Sequence, residues 1–100
     1  MDEGQLTRAK EKNLDQVKAR LLHLLATEAY QEGDFTLSSG QKSSYYVNGK
    51  PVSLSAEGAL AIGQLFLSHL PTVTAAVAGL TLGADPLVSV VTVVSAYENR

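Results

Sequence analysis

The sequence predicts an α/β fold, in which helices and strands pack around one shared hydrophobic core. Three features indicate this: a helical apolar repeat near the N-terminus, a polar hairpin pattern in the middle, and the stretch AAVAGLTLGADP at residues 75–86. That stretch leads from an apolar run through two glycines to an expected helix start. With 100 residues, 45% of them hydrophobic, we expect one domain at most and a modest core.

The composition argues against several classes of function. The net charge is -2 and no cluster of lysine and arginine occurs, so nucleic acid is not an expected partner. Cysteine is absent, which excludes a disulfide framework and fits a cytoplasmic location. The first twelve residues are polar and no apolar run is long enough to cross a bilayer, so neither a secretory leader nor a membrane contact is expected.

The N-terminal part predicts a flexible lead-in followed by an amphipathic helix. Residues 1–12 mix both charges without an apolar period, which favours a flexible segment. Asn13 is expected to cap the helix, and Gly33 to end it. The residues that define its apolar face recur every three or four positions: Val17, Leu21, Leu24, Leu25 and Ala29.

Residues 34–50, DFTLSSGQKSSYYVNGK, favour a β-hairpin. The preferred pairing joins residues 35–37 to residues 45–47 through a polar turn. Asn48-Gly49 offers a second turn, which would instead pair residues 45–47 with residues 52–54.

The hairpin also has the side chains of a binding surface. An aromatic ring beside Ser38, Ser39 and Lys42 is suited to stack a planar heterocycle and to bond its polar edge. Because successive strand residues point to opposite faces, only one of Tyr45 and Tyr46 can join the core. A plain amphipathic hairpin explains the same residues equally well.

The second half predicts a helix, a strand and a further helix. Ser55 is expected to cap a helix that ends before Pro71. Residues 74–78 have the apolar character of a central parallel strand, which requires neighbours that the chain does not show. Asp85 as N-cap and Pro86 at the first helical position favour a final helix, although LVSVVTVVS is rich in β-branched residues and by propensity alone would form a strand.

The glycine-bearing turn before that final helix is a candidate anion site. Such a turn directs free backbone N–H groups and a positive dipole end at whatever lies in front of it, and phosphate is the usual ligand. An ordinary connection between a strand and a helix explains the same pattern.

Together, FTLSSGQKSSYYVNG, the following helix and AVAGLTLGADPL make the chain resemble the N-terminal half of bacterial, particularly cyanobacterial, orotate phosphoribosyltransferases, over residues 14–100. The resemblance implies a type I phosphoribosyltransferase-like α/β fold, here incomplete. It divides the chain into three parts. Residues 13–54 would be a helix and hairpin that form a hood over the sheet, and residues 55–70 a further helix. Residues 73–100 would contain the first core strand, the pyrophosphate loop and a helix. The implied reaction joins orotate to phosphoribosyl pyrophosphate, giving orotidine 5′-monophosphate and pyrophosphate in pyrimidine biosynthesis.

The resemblance also implies the site residues. Orotate would be bound by Ser38, Ser39, Gly40, Tyr46 and Val47. The pyrophosphate group would be bound by Leu82, Gly83, Ala84 and Asp85, with Lys42 as a compensating charge. Magnesium would be held by the oxygens of the substrate rather than by the protein, and the enzyme would be a cytoplasmic homodimer.

The departures from the family pattern limit what the chain is expected to do. Many members carry lysine where this chain has Ser38 and Gly83. The basic mobile loop and the acidic ribose-phosphate loop of the family do not occur in these 100 residues, so no catalytic residue is identifiable and the chain alone is expected to be inactive. Two alternatives remain open: a non-catalytic binding or assembly module derived from the same fold, and a generic phosphate-binding domain.

Overall fold

The computed structural model describes the backbone of residues 2–100 and the side chains of Asp2 and residues 13–100. Helix α1 is followed by a π-helical turn, strands β1 and β2, the short helix α2, and helices α3 and α4. Their bounds are α1 Glu3–Leu24, π-helical turn Leu25–Ala29, β1 Tyr30–Thr36, β2 Lys42–Val47, α2 Lys50–Ser53, α3 Ala56–His69 and α4 Thr81–Tyr97.

The core lies where α3 packs between α1 and α4. Apart from one leucine, its buried apolar side chains are alanines and valines: Ala29, Val52, Ala61, Leu67, Val91 and Val94. Gly63 of α3 is also buried, and a Cβ atom there would lie 2.9 Å from Val94 Cγ2 and 3.1 Å from Val90 Cγ2. The missing side chain therefore lets α4 approach α3 closely.

Helix α1 has the predicted amphipathic face but not the predicted ends. Its apolar residues are half-buried along residues 14–25, and Ala29 is buried. The start expected at Asn13 is wrong, because the helix begins at Glu3. Residues 3–12 are rich in Glu, Gln, Lys and Ala, which favour a helix without any apolar period. Gly33 does not end the helix either, since it lies within β1. The flexibility of residues 1–12 stays a prediction.

The hairpin prediction is confirmed, but the predicted pairing of residues 35–37 with residues 45–47 is wrong. Residues 45–47 pair with residues 30–32, and Phe35 and Thr36 pair with Ser43 and Lys42, because β1 extends further towards the N-terminus than expected. Strands β1 and β2 are antiparallel, with Tyr30 opposite Val47 and Gln31 opposite Tyr46. The ladder is irregular between Glu32 and Phe35, where β1 carries one residue more than β2. The alternative pairing is wrong, because residues 50–53 form α2 rather than a strand.

Helix α3 begins at the predicted cap. The Ser55 hydroxyl accepts a hydrogen bond from the Gly58 backbone N–H at 3.0 Å and donates one to the Val52 carbonyl at 2.8 Å. At the other end, the Arg100 guanidinium donates to the carbonyls of Leu67 and Leu70 at 2.7 and 3.1 Å. Side chains therefore bond the backbone groups that both ends of the helix leave without a helical partner.

The predicted strand at residues 74–78 is not formed as a strand. Residues 74–79 have no regular secondary structure, and most of them are exposed. A strand is defined by its hydrogen-bonded neighbour, and in the described part of the chain only β1 and β2 pair.

Helix α4 confirms the helical prediction for the β-branched run, but its start differs. The helix begins at Thr81, so Asp85 is not the N-cap and Pro86 lies inside the helix. Leu80 occupies the cap position without a side-chain hydrogen bond, and Thr81 has a φ of 68°. The first turn therefore lacks the favourable capping of α3.

Candidate functional site

The tip of the hairpin is a compact turn held by its own backbone. The Gly40 N–H donates to the Leu37 carbonyl at 2.8 Å, and the Leu37 N–H donates to the Gln41 carbonyl at 2.8 Å. Gly40 has a φ of 87°, a left-handed conformation that favours glycine. This turn exposes Ser38 and Ser39, two of the predicted orotate-binding residues.

Two pairs of aromatic rings lie on the hairpin. Tyr46 packs on Phe35 with ring centroids 5.7 Å apart and planes tilted by 31°. Tyr45 stacks on Tyr30 with centroids 6.0 Å apart and planes 25° apart. Because Tyr45 and Tyr46 are consecutive strand residues, these pairs occupy opposite faces of the hairpin. Tyr46 remains 44% exposed, so part of its ring is open to a ligand.

The two remaining predicted residues of this region also lie on β2. Val47 follows Tyr46 on β2 and is 51% exposed. Lys42 begins β2 opposite Thr36 and is exposed. The structure thus places all of the predicted orotate-binding residues, and Lys42, on one hairpin, spread between its tip and the far end of β2.

On the other face, the Tyr30 phenol is tied to a carboxylate. Its hydroxyl donates to Glu32 Oε1 at 3.2 Å. The pKa of Tyr30 is raised above 10.0, first by partial desolvation of the phenol, and then by the hydrogen bond and the negative charge of Glu32, with a smaller effect of Tyr45. An ordinary tyrosine is already neutral at physiological pH, so the raised pKa extends the neutral, hydrogen-bond-donating form of Tyr30 to higher pH.

The predicted pyrophosphate-binding residues lie in the first turns of α4. Since the helix begins at Thr81, the backbone N–H groups of Leu82 and Gly83 have no intrahelical acceptor. Those of Ala84 and Asp85 are expected to bond to carbonyls four residues back. Only two of the four predicted donors are therefore directed outward, and the exposed Asp85 carboxylate lies at the same helix end.

A groove of about 550 Å³ joins this helix end to the end of the hairpin. Its polar lining comes from Asn48, Lys50, Ser53 and His69, and its apolar lining from α1, α3 and α4. Gly83 lines the groove, whereas the other predicted site residues do not. The structure therefore does not gather the predicted orotate and pyrophosphate residues around this groove.

Sequence reasoning missed Lys50 and His69 as groove residues. His69 lies in the last turn of α3. The available signal for Lys50 was its position directly after the Asn48-Gly49 turn, which places a cation where the hairpin returns to the helices.

Among residues 2 and 13–100, no group of three or more histidine, cysteine, aspartate or glutamate side chains is arranged to hold a metal ion. In the part of the chain that the structure describes, no helix is both long and apolar enough to span a membrane.

Comparison with known proteins gives consistent matches to one enzyme. The chain is 69% identical over 87 residues to the orotate phosphoribosyltransferase of Synechocystis, which covers 87% of the chain and 44% of that relative. It is 67% identical over 84 residues to the Nostoc enzyme, covering 84% of the chain and 41% of the relative. The chain thus spans less than half the length of the curated relatives it matches. No family model matches.

Solved structures give the same result for the fold. Mycobacterium tuberculosis orotate phosphoribosyltransferase, crystallised in complex with inorganic phosphate, superimposes with a TM-score of 0.66 at 32% identity. The alignment covers 76% of this chain and 46% of that one. The crystal structure of the same enzyme with Fe(III) dicitrate gives a TM-score of 0.67 at 33% identity, covering 75% of this chain and 45% of that one.

Proposed function

The chain is a relative of the orotate phosphoribosyltransferases over most of its length, and on this premise we propose that it carries the base-binding and pyrophosphate-binding part of such an enzyme. The observation that carries the proposal is the 69% identity over 87 residues, which includes the hairpin and the start of α4. At this identity the residues that contact substrate are expected to be largely shared.

The proposed reaction exchanges one bond for another at the anomeric carbon of the ribose. The bond from C1′ to a pyrophosphate oxygen breaks, and a bond from C1′ to the orotate ring nitrogen forms as that nitrogen gives up its proton. Negative charge develops on the departing pyrophosphate, so backbone N–H donors directed at it stabilise the transition state. The outward N–H groups of Leu82 and Gly83 are the donors that this chain offers.

The hairpin is proposed to hold the base. The open part of the Tyr46 ring provides a surface on which the planar orotate ring can stack, whereas the Val47 side chain, opposite Tyr30, lies on the other face of the hairpin. The hydroxyls of Ser38 and Ser39, exposed at the tip, offer hydrogen bonds to the polar edge of the base. Lys42 is the cation nearest in sequence to that tip and is proposed to offset the negative charge of the substrates.

Magnesium and assembly are parts of the same proposal. The described residues contain no cluster of metal-binding side chains, so they do not fit a protein-held magnesium site. We propose that the ion arrives bound to the oxygens of phosphoribosyl pyrophosphate, which suit it as ligands. We also propose a homodimer located in the cytoplasm, as the family resemblance implies.

Orotate binding to the 100-residue chain tests the base-binding role. We expect orotate to shift the NMR resonances of Tyr46, Val47 and the tip residues 38–40. Replacing Tyr46 by Leu is expected to weaken binding about tenfold, since stacking of a base on an aromatic ring contributes roughly 1–3 kcal/mol. Tyr45→Leu is the matched control, because that ring lies on the opposite face. Resonance changes confined to other elements would contradict the assignment.

A further inference from the structure

We infer that Phe35 is a positioning residue for the base, which acts by fixing the orientation of the Tyr46 ring. The inference rests on the proposed function, because it assumes that orotate stacks on Tyr46. It concerns a residue outside the predicted binding set, on the opposite strand of the hairpin.

The irregular ladder of the hairpin brings the two rings together. Before the irregularity, Gln31 lies opposite Tyr46; a regular ladder would continue with Phe35 opposite Lys42. The extra residue in β1 instead places Phe35 opposite Ser43, one residue nearer to Tyr46. One strand residue corresponds to about 3.3 Å along the hairpin. The observed centroid distance of 5.7 Å is within the range of a favourable aromatic pair.

The surroundings of Phe35 make it the fixed partner of the pair. Phe35 is half-buried, whereas Tyr46 is 44% exposed. Gly33 lies beside the ring: a Cβ atom there would be 3.4 Å from Phe35 Cε2, an ordinary van der Waals contact. A half-buried ring with a glycine beside it can support an exposed ring without itself contacting a ligand on the open part of Tyr46.

Pre-orientation of Tyr46 lowers the cost of binding. An exposed tyrosine samples several side-chain rotamers, and a ligand that stacks on only one of them has to restrict this freedom. Packing against Phe35 restricts it before the base arrives, which is how a pre-organised site gains affinity. Loss of the aromatic contact is expected to weaken orotate binding about three- to tenfold, given the usual strength of such pairs.

The test compares variants of the two ring pairs. Phe35→Leu keeps an apolar side chain but removes the ring, and Phe35→Tyr restores a ring. Tyr30→Leu is the matched control, because it disrupts the aromatic pair on the other face of the same hairpin. NMR first measures the ring contacts and the rotamer of Tyr46 without ligand, together with the cross-strand contacts that report an intact hairpin. Each chain is then titrated with orotate.

We expect a single Tyr46 rotamer in the wild-type, Phe35→Tyr and Tyr30→Leu chains, and an averaged one in Phe35→Leu with the hairpin intact. Orotate affinity should fall only in Phe35→Leu. An unchanged rotamer or unchanged affinity in Phe35→Leu would overturn the inference. A Phe35→Leu chain that loses the hairpin, with Phe35→Tyr failing to restore affinity, would also overturn it. If instead wild-type Tyr46 has one rotamer but does not respond to orotate, the proposed base-binding role fails.

Discussion

At the scale of single residues, Gly63 shows how a missing side chain determines packing. The valines of α4 occupy the space that its Cβ would fill, so α3 and α4 meet through backbone and methyl groups. The sequence places Gly63 within the helix predicted after Ser55, where a glycine suits close packing between helices. It did not indicate that Val90 and Val94 would be the partners, since contacts between helices depend on how the helices dock.

Gly63→Ala is expected to destabilise the fold by about 1–3 kcal/mol, because overpacking forces side chains or backbone to shift. Urea unfolding measures the change. Gly83→Ala is the matched control: it also places alanine at a helical glycine, but the nearest atom, Thr81 Oγ1, lies 3.9 Å away. The control should be neutral or slightly stabilising. Equal stability of both variants would show that α4 does not pack on Gly63 as described.

Tyr30 and Glu32 give a prediction about pH. Folding raises the pKa of Tyr30 above its ordinary value of 10.0. The neutral Tyr30 phenol therefore contributes stability to the folded chain that is fully present below pH 10.0 and is lost as the pH rises through the raised pKa. Glu32→Gln removes the carboxylate and should move the Tyr30 titration midpoint downward, as followed by NMR. Glu28→Gln, the same change outside the hairpin, should leave the midpoint in place. A midpoint unaffected by Glu32→Gln would contradict the contact.

At the scale of elements, the sequence correctly predicted the features that depend on residues close together in the chain, such as helix caps and turns. Ser55 caps α3 as expected, and the polar turn joins the strands of the hairpin as expected. The errors lie where the outcome depends on distant parts of the chain. The apolar residues 74–78 have strand character, but pairing needs a neighbouring strand, and the described chain offers none there.

The start of α4 differs between the sequence-based prediction and the structure. Asp85 and Pro86 favour a helix that begins at Pro86, yet the helix begins at Thr81 with an uncapped first turn. Because Pro86 lies inside the helix, Pro86→Ala should stabilise the chain by about 1–3 kcal/mol: proline there removes one hydrogen bond and crowds the preceding turn. Asp85→Ala should have little effect.

Thermal unfolding of these two variants distinguishes the two starts. A helix that begins at Pro86 would give the reverse result: Asp85→Ala would lose a cap worth about 1 kcal/mol, and Pro86→Ala would gain nothing. That outcome would restore the sequence-based start and leave residues 81–85 as a loop.

At the scale of the whole molecule, the fold leaves much apolar surface uncovered. Val73, Leu80, Leu82 and Tyr97 are each at least 86% exposed, and the buried core consists, apart from one leucine, of alanines and valines. Exposed apolar surface of this extent usually marks an interaction surface.

The fold class and the hairpin part of the candidate site could be predicted from sequence because the motif is local. Lys50 and His69 could not, since it is the docking of α3 against α2 that brings them to one groove.

The most direct test of the central proposal is a chimera. The matching 87 residues of the Synechocystis orotate phosphoribosyltransferase are replaced by those of this chain, and formation of orotidine 5′-monophosphate from orotate, phosphoribosyl pyrophosphate and Mg²⁺ is measured. The parent enzyme and the 100-residue chain alone are the controls. We predict an active chimera and no product from the chain alone. A chimera that folds as stably as the parent but forms no product would contradict the proposed function.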